Sequence, residues 1–280
     1  MKVLITGANG YLGQGIVKTL LDNNIEVIAT DIWTTNVDTR AIRVDCDLFN
    51  IEKPFSYFEH PDIILHLAWR DGFIHNSTNH IDNLPFHCRF IRMLIGEGAQ
   101  HISVMGSMHE IGFHEGSIDE TTTCAPMSCY GIAKNALREY IKWLRTTKAF
   151  IYQWLRGYYI VGNSEYGSSV FSKITAAEMA GKTQFPFTTG TNQFDFIDYS
   201  DFCYQVAAAI TQEKIDGIIN ICSGKPEKLC DRVERFIAEN GYKIKLQYGV
   251  YPERTNESKA VWGNNSRIVK IMNDTLLRRR

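Results

Sequence analysis

VLITGANGYLGQGIV (residues 3–17) runs from an aliphatic stretch through Gly7, Gly10 and Gly13 into an amphipathic one. The glycine spacing is G-x-x-G-x-x-G. KVLIT (2–6) has the composition of a strand, and Ile16, Val17, Leu20 and Leu21 share one helical face. A strand that turns through glycines into a helix is suited to a dinucleotide pyrophosphate. Gly7 allows the tight turn. Gly10 lets the backbone approach the pyrophosphate at the positive end of the helix, and Gly13 lets helix and strand pack closely. Tyr11 and Leu12 complete this candidate cofactor-binding turn. Asp31 ends the next strand, EVIATD (26–31). A carboxylate there accepts hydrogen bonds from the adenosine ribose and repels a 2′-phosphate, so the expected cofactor is NAD and not NADP. The following DIWTT offers no Arg to neutralise a phosphate. Asp47 and Leu48, in DCDL (45–48), are candidates to cover the adenine.

Outward from this turn, short β-rich runs alternate with longer helical ones. AIRVD (41–45), DIILHLA (62–68), HISVMG (101–106) and FIYQWLR (150–156) read as strands, with helices around 82–96 and 129–146. DIILHLA is nearly all apolar, as a strand buried on both faces should be. The alternation predicts an α/β fold: a Rossmann-type doubly wound parallel sheet with a smaller, interleaved C-terminal substrate lobe. The expected division is residues 1–156 for the NAD-binding domain, with returning segments at 191–224. Residues 157–190 and 225–280 would then form the substrate-binding lobe.

Bulk composition narrows the function. The 280 residues are 44% hydrophobic and carry a net charge of −1, which suits a full core and not a nucleic-acid binder. Seven Cys without a C-x-x-C fit reduced thiols in a cytoplasmic protein. No apolar run approaches the roughly 18 residues of a membrane span. All eight His lie between positions 60 and 114, yet none forms an i, i+4 pair, so no metal is expected.

SMHEIGFH (107–114) is superficially a zinc or hydrolase motif. His109 and His114 are five apart with Gly112 between them, which breaks the H-E-x-x-H geometry. A Ser-His-Glu triad from such close neighbours also lacks the required arrangement. More informative is SCYGIAKNALREYIKWL (128–144), where Tyr130 and Lys134 stand one helical turn apart. A Lys⁺ near a Tyr hydroxyl favours the phenolate and suits the phenol to proton transfer.

With these residues in hand, the chain resembles the extended short-chain dehydrogenase/reductase superfamily, the nucleotide-sugar epimerases, dehydratases and ketoreductases. TGANGYLG, Asp31, HLA (66–68), Ser107 and YGIAK carry the likeness, and NQFDFIDYSDF and GIINICSGKPEKL extend it over nearly the full length. The resemblance implies Ser107, Tyr130 and Lys134 as catalytic residues. It implies Leu67 and Ala68, and also Tyr130 and Lys134, as cofactor contacts. The elimination acids of the family's dehydratases are replaced by Met108 and His109, and Glu110 falls one place too late.

Trp69, Arg70, His109, Tyr159 and Arg254 are the expected substrate-binding residues. Phe194 stands where the family often has a diphosphate-binding Arg, which shifts that task towards Arg254. The resemblance is strongest to the branch reducing nucleotide-activated 4-keto-6-deoxyhexoses, such as dTDP-sugars. A 4-epimerase that retains its NAD is the alternative, and a non-catalytic dinucleotide-sensing regulator is a third reading. A homodimer through the helices near 82–96 and 129–146 is a further expectation.

Overall fold

The computed structural model describes residues 1–162, 169–253 and 257–279. Its first part contains β1 (Lys2–Thr6), α1 (Tyr11–Asp22), β2 (Glu26–Asp31), β3 (Ile42–Asp45), α2 (Pro54–Tyr57), β4 (Ile63–His66), α3 (Asn79–Asp82), α4 (Leu84–Glu97), β5 (His101–Ser107), β6 (Gly116–Ile118), α5 (Cys129–Thr147) and β7 (Ile151–Gly157). The second contains β8 (Tyr159–Val161), α6 (Val170–Met179), β9 (Gln184–Pro186), β10 (Gln193–Asp198), α7 (Tyr199–Ile210), β11 (Gly217–Ile221), β12 (Pro226–Lys228), α8 (Leu229–Glu239), β13 (Lys245–Gln247), β14 (Ala260–Gly263) and α9 (Ser266–Asp274).

Among the described residues, seven strands form the main sheet in the order β11-β7-β5-β4-β1-β2-β3, and every pairing is parallel. The direction of winding reverses between β1 and β4, where the strand ends open a crevice for ligands. Side chains alternate across this sheet. Val3, Ile5 and Leu65 pack into one core with Ile16, Leu20, Val206 and Ile271, under α1, α7 and α9. Leu4, Ile64 and Ile102 point to the other core with Ile91, Leu94, Leu137 and Ile141, under α4 and α5. Strands covered on both faces need apolar residues at every position, which accounts for their continuous hydrophobic runs.

The helix read near 82–96 is α4, and the short α3 precedes it as a separate turn. Pro85 stands in the first turn of α4, where its missing N–H costs nothing, and so marks a new start. DIILHLA pairs only over 63–66, because Leu67 and Ala68 leave the strand and pass beneath Gly7.

A second sheet has the order β12-β10-β14-β6, with β8 also paired to β10, and β13 and β9 form a separate pair. Its core, including Phe171, Phe194, Phe196, Val233 and Phe236, is separate from the other two. The segment 191–224 is shared out: β10 lies in this second sheet, while β11 returns to the edge of the main one. Among the described residues no helix is long and apolar enough to cross a membrane.

Candidate active site

The glycine turn is tight because other backbone fills the space a side chain would need. Gly7 has φ +70°, and a Cβ there would lie 2.6 Å from the Ala68 nitrogen. A Cβ on Gly13 would lie 2.4 Å from the Gly7 carbonyl oxygen. Gly10 caps α1 in extended conformation, so the first N–H groups of the helix remain available to a ligand. Tyr11 and Tyr199 rings pack at 4.5 Å, the Tyr199 hydroxyl donates to the Tyr11 carbonyl, and Leu12 packs against the α1-side core. This cradle fits a pyrophosphate.

Asp31 lies at the expected strand end. Its carboxylate accepts from the Asn9 N–H at 3.0 Å and the Ile32 N–H at 2.8 Å. A carboxylate has about four acceptor positions, so it keeps capacity for ribose hydroxyls. Thr34, Thr35, Arg43 and Asp45 line a cleft on the neighbouring strand β3, whose register sets Asp45 beside Asp31. Arg43 was not singled out from the sequence; it reaches this region through the β2–β3 pairing. Asp47 accepts from the Phe49 N–H at 3.0 Å and the Asn50 amide at 2.9 Å, capping a short 3-10 turn. Leu48 is buried in the α4/α5-side core.

Ser107 ends β5, and Tyr130 and Lys134 stand in the first turns of α5. The start of α5 is fixed by Ser128, whose Oγ accepts from the Gly131 N–H at 3.1 Å. Fold and helix together bring the three side chains to one place. The Ser107 side chain lies close enough to the Tyr130 phenol to favour its phenolate. Lys134 Nζ donates to the Met105 carbonyl at 2.8 Å, lies 3.7 Å over the Trp69 ring and lies 5.9 Å from the Tyr130 ring centroid.

Burial pushes the Tyr130 phenol up to about 12, against the Ser107 side chain, which favours the phenolate. Burial pulls the Lys134 ammonium down to about 7, although the Glu110 charge opposes this. At neutral pH Tyr130 is therefore a proton donor, and Lys134 sits where its charge is readily changed.

Aromatic rings surround Tyr130. His75 stacks on it at 5.3 Å and 11°, and its carbonyl accepts the Tyr130 N–H at 2.9 Å. His80 approaches at 5.2 Å, His109 at 6.2 Å and Trp69 at 6.3 Å. His109 also packs on His75 at 4.3 Å and on Tyr159 at 6.4 Å. Trp69, His109 and Tyr159, expected from the sequence, thus join one wall with Tyr130. Arg70 is exposed on the turn beyond Trp69. Phe194 is buried against Tyr159 at 4.8 Å, making an apolar surface of the position where the family often has Arg. Arg254 lies outside the described residues.

The SMHE stretch is a capping box. The His109 N–H donates to Ser107 Oγ at 3.3 Å, and the Ser107 N–H donates to Glu110 Oε1 at 3.2 Å. Glu110 is fully buried and also meets Trp154 Nε1 at 2.7 Å, Arg156 Nε at 3.3 Å and Arg138 at 3.3 Å. Ser107 and Glu110 have the S-x-x-E spacing of such a box, a signal present in the sequence but not used. The histidines serve other partners. His66 bonds Thr6 and His87, His101 bonds Gln153, and His114 bonds the Ser117 carbonyl. Among the described residues no three His, Cys, Asp or Glu side chains gather as a metal-ligand set.

A glycine cradle at the switch point of a parallel sheet defines a dinucleotide-dependent enzyme. The chain belongs to the NAD dependent epimerase/dehydratase family, whose model matches residues 3–222, and NAD is its cofactor. It is 39% identical over 271 residues to the dTDP-6-deoxy-L-talose 4-dehydrogenase (NAD(+)) of Aggregatibacter actinomycetemcomitans, covering 94% of this chain and 99% of that protein. Its fold is similar to a UDP-glucose-4-epimerase from Stenotrophomonas maltophila solved with NAD and formylated UDP-arabinopyranose. That match has a TM-score of 0.85 at 17% identity, over 100% of this chain and 94% of the other. A UDP-glucose 4-epimerase from Thermotoga maritima with UDP-glucose matches with a TM-score of 0.81 at 20% identity, over 96% and 92% of the two chains.

Proposed function

We propose that the protein transfers hydride at C4 of a nucleotide-activated 6-deoxyhexose, working as an NADH-dependent 4-keto reductase. The observation that carries this reading is the convergence of Ser107, Tyr130 and Lys134 beside the glycine cradle. The choice of substrate class rests on the likeness, over nearly the full chain, to the dTDP-6-deoxy-L-talose 4-dehydrogenase. That relative acts at the same carbon and shares far more sequence with this chain than the epimerase structures do.

Gly7, Gly10, Tyr11, Leu12 and Gly13 would hold the pyrophosphate, Asp31 the adenosine ribose, Asp47 and Leu48 the adenine side, and Leu67 and Ala68 the floor of the cofactor crevice. NADH, when bound, supplies the hydride. Tyr130 gives its phenolic proton to the C4 oxygen as the ketone becomes an alcohol, and Ser107 donates a hydrogen bond to the same oxygen. The phenolate left on Tyr130 is stabilised by Lys134 when that amine is charged. Burial keeps this phenol protonated at neutral pH, so the proton is there to give. Trp69, Arg70, His109 and Tyr159 would shape the sugar pocket, with Arg254 on the diphosphate.

The second reading is a nucleotide-sugar 4-epimerase. It is favoured by the names of the similar proteins, most of which are epimerases. Epimerisation returns the hydride to the opposite face of C4, so the keto sugar must turn over in the pocket. The rings of Trp69, His75, His109 and Tyr159 crowd that space, which supports delivery in one direction.

The discriminating experiment supplies a dTDP-4-keto-6-deoxyhexose and NADH, and follows NADH absorbance and product. Stoichiometric NADH loss with formation of a 4-hydroxy sugar is expected. Tightly retained NAD, with equilibration of UDP-glucose and UDP-galactose in the absence of added NADH, would replace the reductase reading by the epimerase one.

A further inference from the structure

Trp69 stands at the junction of two hydrogen-bonded histidine systems that the hydride chemistry does not itself require. On one side its Nε1–H donates to His80 Nδ1 at 3.0 Å, and His80 Nε2 lies 3.0 Å from the Ile74 carbonyl. Trp69 donating at Nδ1 leaves Nε2 as the nitrogen that donates to the Ile74 carbonyl. On the other side His87 stacks on the indole with 4.4 Å between centroids and 16° between planes. His87 Nδ1 lies 2.9 Å from His66 Nε2, and His66 Nδ1 lies 2.8 Å from Thr6 Oγ1. Thr6 directly precedes Gly7, so this chain of contacts begins at the cofactor turn. The indole is held against both systems and presents its ring to the Lys134 ammonium at 3.7 Å.

Lys134 is fully buried, and the Met105 carbonyl engages one of the three donors an ammonium carries. A charge so placed has lost its hydration, and the face of an indole is the strongest aromatic substitute for it. We propose that Trp69 is a positioning residue for Lys134: clamped by His80 and His87, it holds the ammonium through a cation–π contact beside Tyr130. This deepens the reading in which Lys134 supports Tyr130, and rests on it for its catalytic meaning. Glu110 acts on Lys134 and favours its charge, and the Tyr130 ring faces it at 5.9 Å. His66 and His87 are kept neutral by burial, so they add no competing cation.

The contact is tested in the cofactor-free protein by NMR of ¹³C-labelled lysine side chains, titrated across the neutral range, with Lys134→Met assigning the resonance. Trp69→Phe keeps a weaker aromatic face, and Trp69→Leu keeps none. The Lys134 titration midpoint is expected to fall by about half a pH unit in Trp69→Phe and by about one unit in Trp69→Leu. Midpoints unchanged from wild type in the variants, or raised, would overturn the proposal. Trp69 is only partly buried, and if the Leu variant does not fold, the Phe variant decides alone.

The measurement needs no substrate. Absence of turnover with any 4-keto sugar would sink the functional reading without touching this result. Where turnover is present, the alkaline limb of kcat should shift in the same direction as the midpoint while KM for NADH changes little, a split that a purely structural role would not give.

Discussion

At Tyr130, burial and the Ser107 side chain act in opposite directions on one proton, and burial dominates. The phenol therefore keeps its proton at neutral pH, as the proposed acid role requires, and in that proposal Lys134 accommodates the phenolate afterwards. Tyr130→Phe removes the transferable proton but leaves the glycine cradle and Asp31 intact. Turnover is expected to fall by at least about 10²-fold, with NAD affinity reduced only slightly in a binding titration, because most of the dinucleotide is held elsewhere. Retention of more than about a tenth of the wild-type rate would take Tyr130 out of the acid role. That Tyr130 and Lys134 share one face was legible from the YGIAK spacing, since one helical turn separates them. The partners that set their protonation were not: Trp69, Met105 and Glu110 reach them from other elements.

Between elements, Glu110 is the joint that locates Ser107. Its carboxylate bonds the Ser107 N–H on β5, Trp154 and Arg156 on β7, and Arg138 on α5. Removing it leaves two guanidinium groups in the interior with fewer partners, and such losses are costly because the remaining charge stays buried. Glu110→Ala is expected to lower stability by about 3–5 kcal/mol in urea denaturation, with Glu110→Gln milder because an acceptor for Trp154 remains. An equal loss in the two variants would show that the lost charge, and not the lost acceptor or packing, accounts for the effect. In the sequence Glu110 is an acid one place away from a dehydratase position. Its structural task follows from the alignment of β5, β7 and α5, which no local spacing encodes.

Over the whole molecule, the buried His66–His87 pair makes stability depend on acidity. Burial holds His66 down to about 3 and His87 well below its ordinary range. In the unfolded chain both bind protons near pH 6.5, so between there and the folded value the unfolded state binds more. Stability is therefore present above about pH 6.5 and is lost as pH falls through this window, by up to about 1.4 kcal/mol per unit for each group. His66→Gln should flatten the slope of urea midpoint against pH in the acid range. A slope identical to wild type would assign the acid sensitivity to other groups.

Local periodicity and short fixed spacing were enough to read the parallel sheet, the glycine turn after β1 and the placing of Tyr130 and Lys134 on one helical face. The continuous apolar runs of β1, β4 and β5 require cover on both faces, and Gly7 and Gly13 stand where any side chain would strike backbone. Only the tertiary structure decided how the histidines are used, how Glu110 joins β5 to β7 and α5, and how Trp69 receives Lys134. These arrangements join residues far apart in the chain, such as Thr6 with His66 and Glu110 with Arg156. Their energies arise from desolvation and mutual orientation, which exist only once the elements have packed.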